Sequence, residues 1–218
     1  MTRTPRALPS RARLALSVAA SSVLLAAGAA AAPAVMTSAN AVADDGHRVV
    51  HQDARRDVLR YSYETDSSRP APRDRATDIV RTVVDHRPDR LVVQARVREL
   101  SRSGYRLFIA EILTSEGKRF ELTVDFSTKP IAARVTLTRF SSSADVECPG
   151  ATWALTRSVN RVQASVPRSC LGDPGWVRVG LGVVASPRNL KSSWADDSRT
   201  KGKIGERHLV LGPRQPHA

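Results

Sequence analysis

Apolar and polar positions along most of this chain alternate in twos. Leu91, Val93, Ala95 and Val97 alternate with Val92, Gln94, Arg96 and Arg98, the pattern of a strand with one dry face and one wet face. Residues 105–113 read as a second, more buried strand. After the polar turn Ser115-Glu116-Gly117-Lys118, Phe120, Leu122, Val124 and Phe126 alternate with Arg119, Glu121, Thr123 and Asp125. These two strands and their turn predict a hairpin. The same logic predicts strands at 57–63, 78–85, 131–139, 151–156, 161–166 and 176–184, with a short last one at 208–211. Trp153 and Leu155 point inward in one of them. Pro167 ends another because it cannot donate to a ladder. In the strand at 176–184, Val177, Val179, Leu181 and Val183 share a face, with Gly180 and Gly182 between them.

No segment keeps a helical stripe for three turns. Short strands with turn signals at intervals of about ten residues predict an all-β fold, a sandwich or a barrel. One polar face per strand favours two packed antiparallel sheets, so the expectation is a jelly-roll-like β-sandwich. Two stretches read as surface loops: 66–75, rich in proline and polar residues, and 187–205, which is longer and contains Trp194. The predicted domain runs from 44 to 211, followed by a flexible tail at 212–218.

Upstream of the sandwich the pattern changes. Arg3, Arg6, Arg11 and Arg13 lead into an uncharged Ala/Leu/Val-rich run that meets no charge until Asp44, and Ala41-Val42-Ala43 precedes it. A basic start, an apolar centre and small residues before a cut are the parts of a secretory signal peptide. Residues 1–43 are therefore expected to be cleaved and the rest secreted. The run Leu14 to Met36 is also long enough for a bilayer of about 30 Å, so an uncleaved anchor is the alternative, and the only route to a membrane. Cys148 and Cys170 are the only cysteines. In an exported chain they are expected to form one structural disulfide.

Charge comes next. Lys and Arg together number 34 against 21 acids, a net +13; losing four arginines with residues 1–43 leaves 30 against 21, or +9. Only five of the bases are lysines. A basic surface attracts polyanions. The arginines are spread along the chain, which excludes a compact DNA-reading arm or helix, so no specific nucleic acid is expected.

No catalytic signature is present: no G-x-S-x-G, no H-E-x-x-H, no Walker loop. The most site-like patch is Lys191, Trp194, Asp196 and Asp197 in the 187–205 loop. An exposed indole offers a flat face to a sugar ring, and carboxylates accept its hydroxyl hydrogen bonds. Asp74 and Asp78 flank a predicted strand and are calcium candidates, since Ca²⁺ collects oxygen ligands at sandwich edges. Arg73 and Arg75 compete for them. No other cofactor is expected.

The segments Thr77-Asp78-Ile79-Val80, Asp85 and Leu91 to Val97 resemble the opening strands of family-nine carbohydrate-binding modules and the related DOMON sandwiches. That resemblance implies binding of sugars or haem, often with a structural calcium. The usual Met and His haem ligands are not at hand, because Met1 and Met36 both fall in the signal region. The stretches Val166 to Gly172 and Trp176 to Gly180 are similar to secreted actinobacterial proteins and bring no function with them. The resulting expectation is a secreted, monomeric, non-catalytic binding protein of the cell envelope, for a glycan or an anionic polymer. The rivals are a hydrolase with a carboxylate site in the 187–205 loop, and a module that docks another envelope protein.

Overall fold

A computed structural model describes residues 43–44, 47–100, 105–126, 134–187, 189–200 and 208–218. The expected signal segment lies outside them except for Ala43, as do 131–133 of one predicted strand. Among the described residues no helix is long and apolar enough to cross a membrane.

The strands, in chain order, are β1 (Ala43–Asp44), β2 (Arg48–Gln52), β3 (Leu59–Ser62), β4 (Ser67–Pro70), β5 (Ile79–His86), β6 (Arg90–Val97), β7 (Tyr105–Thr114), β8 (Arg119–Asp125), β9 (Arg134–Arg139), β10 (Ala144–Val146), β11 (Thr152–Thr156), β12 (Arg161–Pro167), β13 (Trp176–Ser186), β14 (Ser192–Asp197) and β15 (Gln215–Pro216). They form two antiparallel sheets packed face to face. One has six strands in the order β1-β2-β5-β6-β12-β11. The other has nine, ordered β10-β9-β8-β7-β13-β14-β3-β4, with β15 also paired to β13. The chain crosses between the sheets repeatedly. β6 lies beside β12 in one sheet, and their successors β7 and β13 lie side by side in the other. This is the wrapped, jelly-roll-like β-sandwich expected from the alternation.

The alternation places the core. In β8, Phe120, Leu122 and Val124 are buried while Arg119, Glu121, Thr123 and Asp125 stay half-exposed. Leu91, Val93, Ala95 and Val97 of β6 face Phe108, Ile112, Val179, Leu181 and Val183 from the opposite sheet in one continuous apolar cluster. The β7–β8 hairpin turns where expected: the amide of Thr114 bonds the carbonyl of Lys118, and Gly117 takes the left-handed backbone (φ 74°) that the tight turn demands. Cys148 and Cys170 form the expected disulfide. They flank the β11–β12 hairpin, so the bond clasps the open end of this pair at a sheet edge, where β11 has no further neighbour among the described residues.

Three predicted features differ. The stretch 187–205 contains β14, and 66–75 contains β4. No strand forms at 208–211. Instead, residues 208–212 lie across β13 on the face turned away from the core. The amide of Leu209 donates to Glu111 Oε2 (3.0 Å), that of Val210 to Asp197 Oδ2 (2.9 Å) and that of Gly212 to the carbonyl of Val179 (2.9 Å). Gly180 and Gly182 make this possible. A Cβ at Gly180 would stand 2.8 Å from both Leu209 Cβ and the Val210 carbonyl oxygen, and one at Gly182 would stand 2.9 Å from Leu209 Cδ2. A glycine inside a strand thus marks the approach of another backbone. The expected flexible tail beyond Gly212 is also held. β15 pairs with β13, Gln215 is buried, and the amide of Ala218 donates to the carbonyl of His86.

Candidate functional site

β14 carries most of the residues singled out from the sequence, and a strand deals its neighbours to opposite faces. Trp194 and Asp196 are on the core-side face of the strand, beside their register partners Ala185 and Val183 of β13 in the same sheet. Trp194 is half-buried beneath the guanidinium of Arg60, 5.3 Å from its ring centre. Asp197 points the other way, fully buried. It accepts the amides of Arg199 (3.0 Å) and Val210 (2.9 Å), so it closes the turn after β14 and anchors the stretch over β13. Lys191 is on the surface, ion-paired with the equally exposed Glu64 at 2.9 Å. The four residues therefore do not assemble into one exposed patch. Asp74 is a turn residue. Its Oδ1 accepts from the amides of Ala76 and Thr77 and from the Thr77 hydroxyl, which shapes the approach to β5.

Asp78 and Asp196 do meet. Asp78 directly precedes β5 in the six-stranded sheet, and Asp196 is on β14 in the other. Both are fully buried. Oxygen atoms of Asp57, Asp78 and Asp196 all lie within 4.8 Å of one another. Asp57 comes from the connection between β2 and β3, as does Asp53, whose charge acts on the same group. Three of these acids are positioned by backbone amides. The amide of Ile79 donates to Asp196 Oδ2 (2.7 Å), that of Arg56 to Asp78 Oδ2 (2.8 Å) and that of Ala54 to Asp53 Oδ1 (2.7 Å). Arg98 makes an ion pair with Asp78 at 3.0 Å. Burial, reinforced by the neighbouring carboxylates, pushes Asp53 up to about 8 and Asp196 up to about 9. Burial raises Asp57 and Asp78 as well. Asp53 and Asp57 were not visible as site residues in the sequence. They carry no motif, and Asp196 lies 139 positions beyond Asp57.

A second concentration of charge covers the outer face of the six-stranded sheet. Register sets Gln52 of β2, Arg81 of β5, Arg96 of β6, Arg161 of β12 and Thr156 of β11 in one cross-strand row. Arg96 is thus directly opposite an arginine on each side. A bulge between Ile79 and Arg81 turns Ile79 into the core and Arg81 outward. Two adjoining open grooves, each of about 280 Å³, share Arg81 and Arg96. Arg48 and Arg161 line the first, Arg55, Arg75 and Arg98 the second, and no carboxylate lines either. Of the acids nearby, Asp85 is engaged by Arg87 at 2.8 Å and His47 at 3.8 Å, Glu99 by Arg75 at 3.3 Å and Asp78 by Arg98 at 3.0 Å. Arginines dispersed along the chain are gathered here by strand pairing alone.

Compared with known proteins, the chain matches no family model, no curated protein and no solved structure.

Proposed function

We propose that the protein is a secreted, non-catalytic binding protein that engages an anionic polymer of the cell envelope through the arginine face of its six-stranded sheet. The observation that carries this reading is the Arg81–Arg96–Arg161 row. Like charges placed directly opposite on neighbouring strands disfavour the sheet, and a ligand that brings phosphates or carboxylates onto the row turns that repulsion into attraction. Guanidinium suits this role, because its planar fork grips such groups with two parallel hydrogen bonds. The face is open and shallow, as a long polymer lying across strands requires. Export is supported by the basic and apolar opening segment and by the single disulfide.

The test measures retention on a polyphosphate-backbone polymer of the teichoic-acid type, with a neutral glucan as control, over a range of salt. We expect binding to the anionic polymer that weakens linearly in log–log form as salt rises, and none to the glucan. Reversing both Arg96→Glu and Arg161→Glu should remove it, while Arg139→Glu, exposed on β9 of the other sheet, should change it little. Equal losses from both kinds of reversal would reduce the effect to net charge and defeat the proposal, as would equal binding to the neutral glucan.

A further inference from the structure

Buried carboxylate oxygens with no partner gather where the two sheets meet, four of them on Asp57, Asp78 and Asp196. Asp53 Oδ2, both oxygens of Asp57, Asp78 Oδ1 and Asp196 Oδ1 are buried, and none has a hydrogen-bond partner among the described residues. In Asp53, Asp78 and Asp196 the other oxygen is tied to a backbone amide. Each carboxylate is thus held by one oxygen and presents the other. Asp78 and Asp196 are completely withdrawn from solvent, where an unmatched charge is costly. Among the described residues Arg98 is the guanidinium in ion-pair contact, and Arg55 and Arg199 act from farther away. Four acids against that set cannot all ionise in so enclosed a place unless a further cation joins them.

We propose that Asp57, Asp78 and Asp196 bind a single divalent cation, calcium, that fastens the two sheets to each other, with Asp53 adding negative charge beside them. The donors are all oxygen, which selects a hard ion. No histidine or cysteine belongs to the group, so zinc is disfavoured. The 4.8 Å within which the oxygens of Asp57, Asp78 and Asp196 lie matches the diameter of a Ca²⁺ oxygen shell, whose radius is about 2.3–2.6 Å. Four unpartnered oxygens on these three acids leave room for water to complete a shell of six to eight, and Asp57, which is only half-buried, leaves a side open to it. The ligands come from the β2–β3 connection, the residue before β5 in the six-stranded sheet, and β14 in the nine-stranded sheet. The ion therefore bridges the layers at a point where the apolar cluster gives way to polar side chains. The site uses no residue of the Arg81–Arg96–Arg161 row, and its failure would leave the polymer reading untouched.

The experiment uses the full oxidised chain, stripped with a chelator, titrated with calcium chloride by calorimetry and followed in thermal unfolding. We expect one ion per chain, a dissociation constant between about 10⁻⁶ and 10⁻³ M, and a midpoint raised by several degrees at about 5 mM calcium. Asp196→Asn should abolish uptake and the rise. Asn keeps an acceptor for the Ile79 amide and matches the neutral acid in shape, so without calcium the variant should melt close to the stripped parent. Should that variant fail to fold, Asp57→Asn, whose oxygens make no hydrogen bond, serves the same purpose. Asp74→Asn should keep the one-to-one stoichiometry. Absence of uptake by the parent, or parental uptake by both cluster variants, would overturn the proposal.

Discussion

Replacing Arg96 by glutamine should stabilise the fold and weaken its proposed binding together. Most surface substitutions shift stability little, and most others lower it. Arg96 is exposed, makes no ion pair or hydrogen bond with the described residues, and faces Arg81 on one side and Arg161 on the other. A directly opposed pair is worth roughly 0.2–1 kcal/mol in a sheet. Relieving two such contacts should stabilise by about 1 kcal/mol at low ionic strength. For a domain of this size that corresponds to about 2–4 °C in Tm. The gain is electrostatic and solvent-exposed, so it should shrink well before about 1 M salt, where the screening length is only about 3 Å. On the binding side, one basic contact with an anionic surface is worth about 1 kcal/mol, or about a fivefold loss in affinity. The slope of log affinity against log salt should fall in magnitude by about 0.7–0.9. Urea unfolding at low and high salt and a salt series of polymer binding read both halves. A variant less stable than the parent at low salt would refute the repulsion argument. Unchanged affinity with an unchanged salt slope would refute the assignment of the face.

Three further outcomes follow from the fold. Gly180→Ala places a Cβ 2.8 Å from Leu209 Cβ and the Val210 carbonyl oxygen; it should cost about 1–3 kcal/mol and accelerate hydrogen exchange at the Leu209 and Val210 amides, and protection equal to the parent would show that 208–212 does not press on β13. Cys148→Ser opens a disulfide whose partners are 22 positions apart, which should lower stability in denaturant by about 3 kcal/mol; an unchanged urea midpoint would count against the clasp on the β11–β12 hairpin. The fully buried His86 is held below its ordinary value, chiefly by burial, and Nδ1 donates to the Gln215 carbonyl at 3.1 Å. With the folded value below the unfolded one, the unfolded chain takes up the proton first. Its contribution is intact above about pH 6.5 and is lost as pH falls through that value toward the lower folded one. His86→Gln should flatten the decline in urea midpoint below about pH 6.5; a decline as steep as the parent's would place its origin elsewhere.

The parts of the fold that were legible in the sequence are those built by burial. β6, β8 and β13 alternate because one face meets the core, and their positions follow from Leu91 to Val97, Phe120 to Val124 and Val177 to Val183. β14 was hidden because its core-side positions are Ser192, Trp194 and Asp196, so pairing with β13 and β3 holds it in place. β4 and β10 were hidden for a related reason: they are edge strands with mostly exposed side chains. Of the site residues, Asp78 and Asp196 were each singled out, but for different purposes and in different segments. Their meeting with Asp53 and Asp57 depends on the sheets facing each other, which no local pattern encodes. The same holds for Arg81, Arg96 and Arg161, which looked dispersed until register brought them abreast.

The nine-stranded sheet is completed from the inside. β13 and β14 form its middle, joining β7 on one side to β3 on the other, yet both are made after those partners. As the chain emerges, β3–β4 and the β7–β10 group are two separate half-sheets, each with a bare edge at the future seam. Bare edges recruit other strands, including those of other molecules, and distant pairings close slowly. The chain therefore spends its most aggregation-prone interval waiting for residues 176–197. Folding strictly from one end to the other is closed to it, and the sheet closes only when that last segment is available.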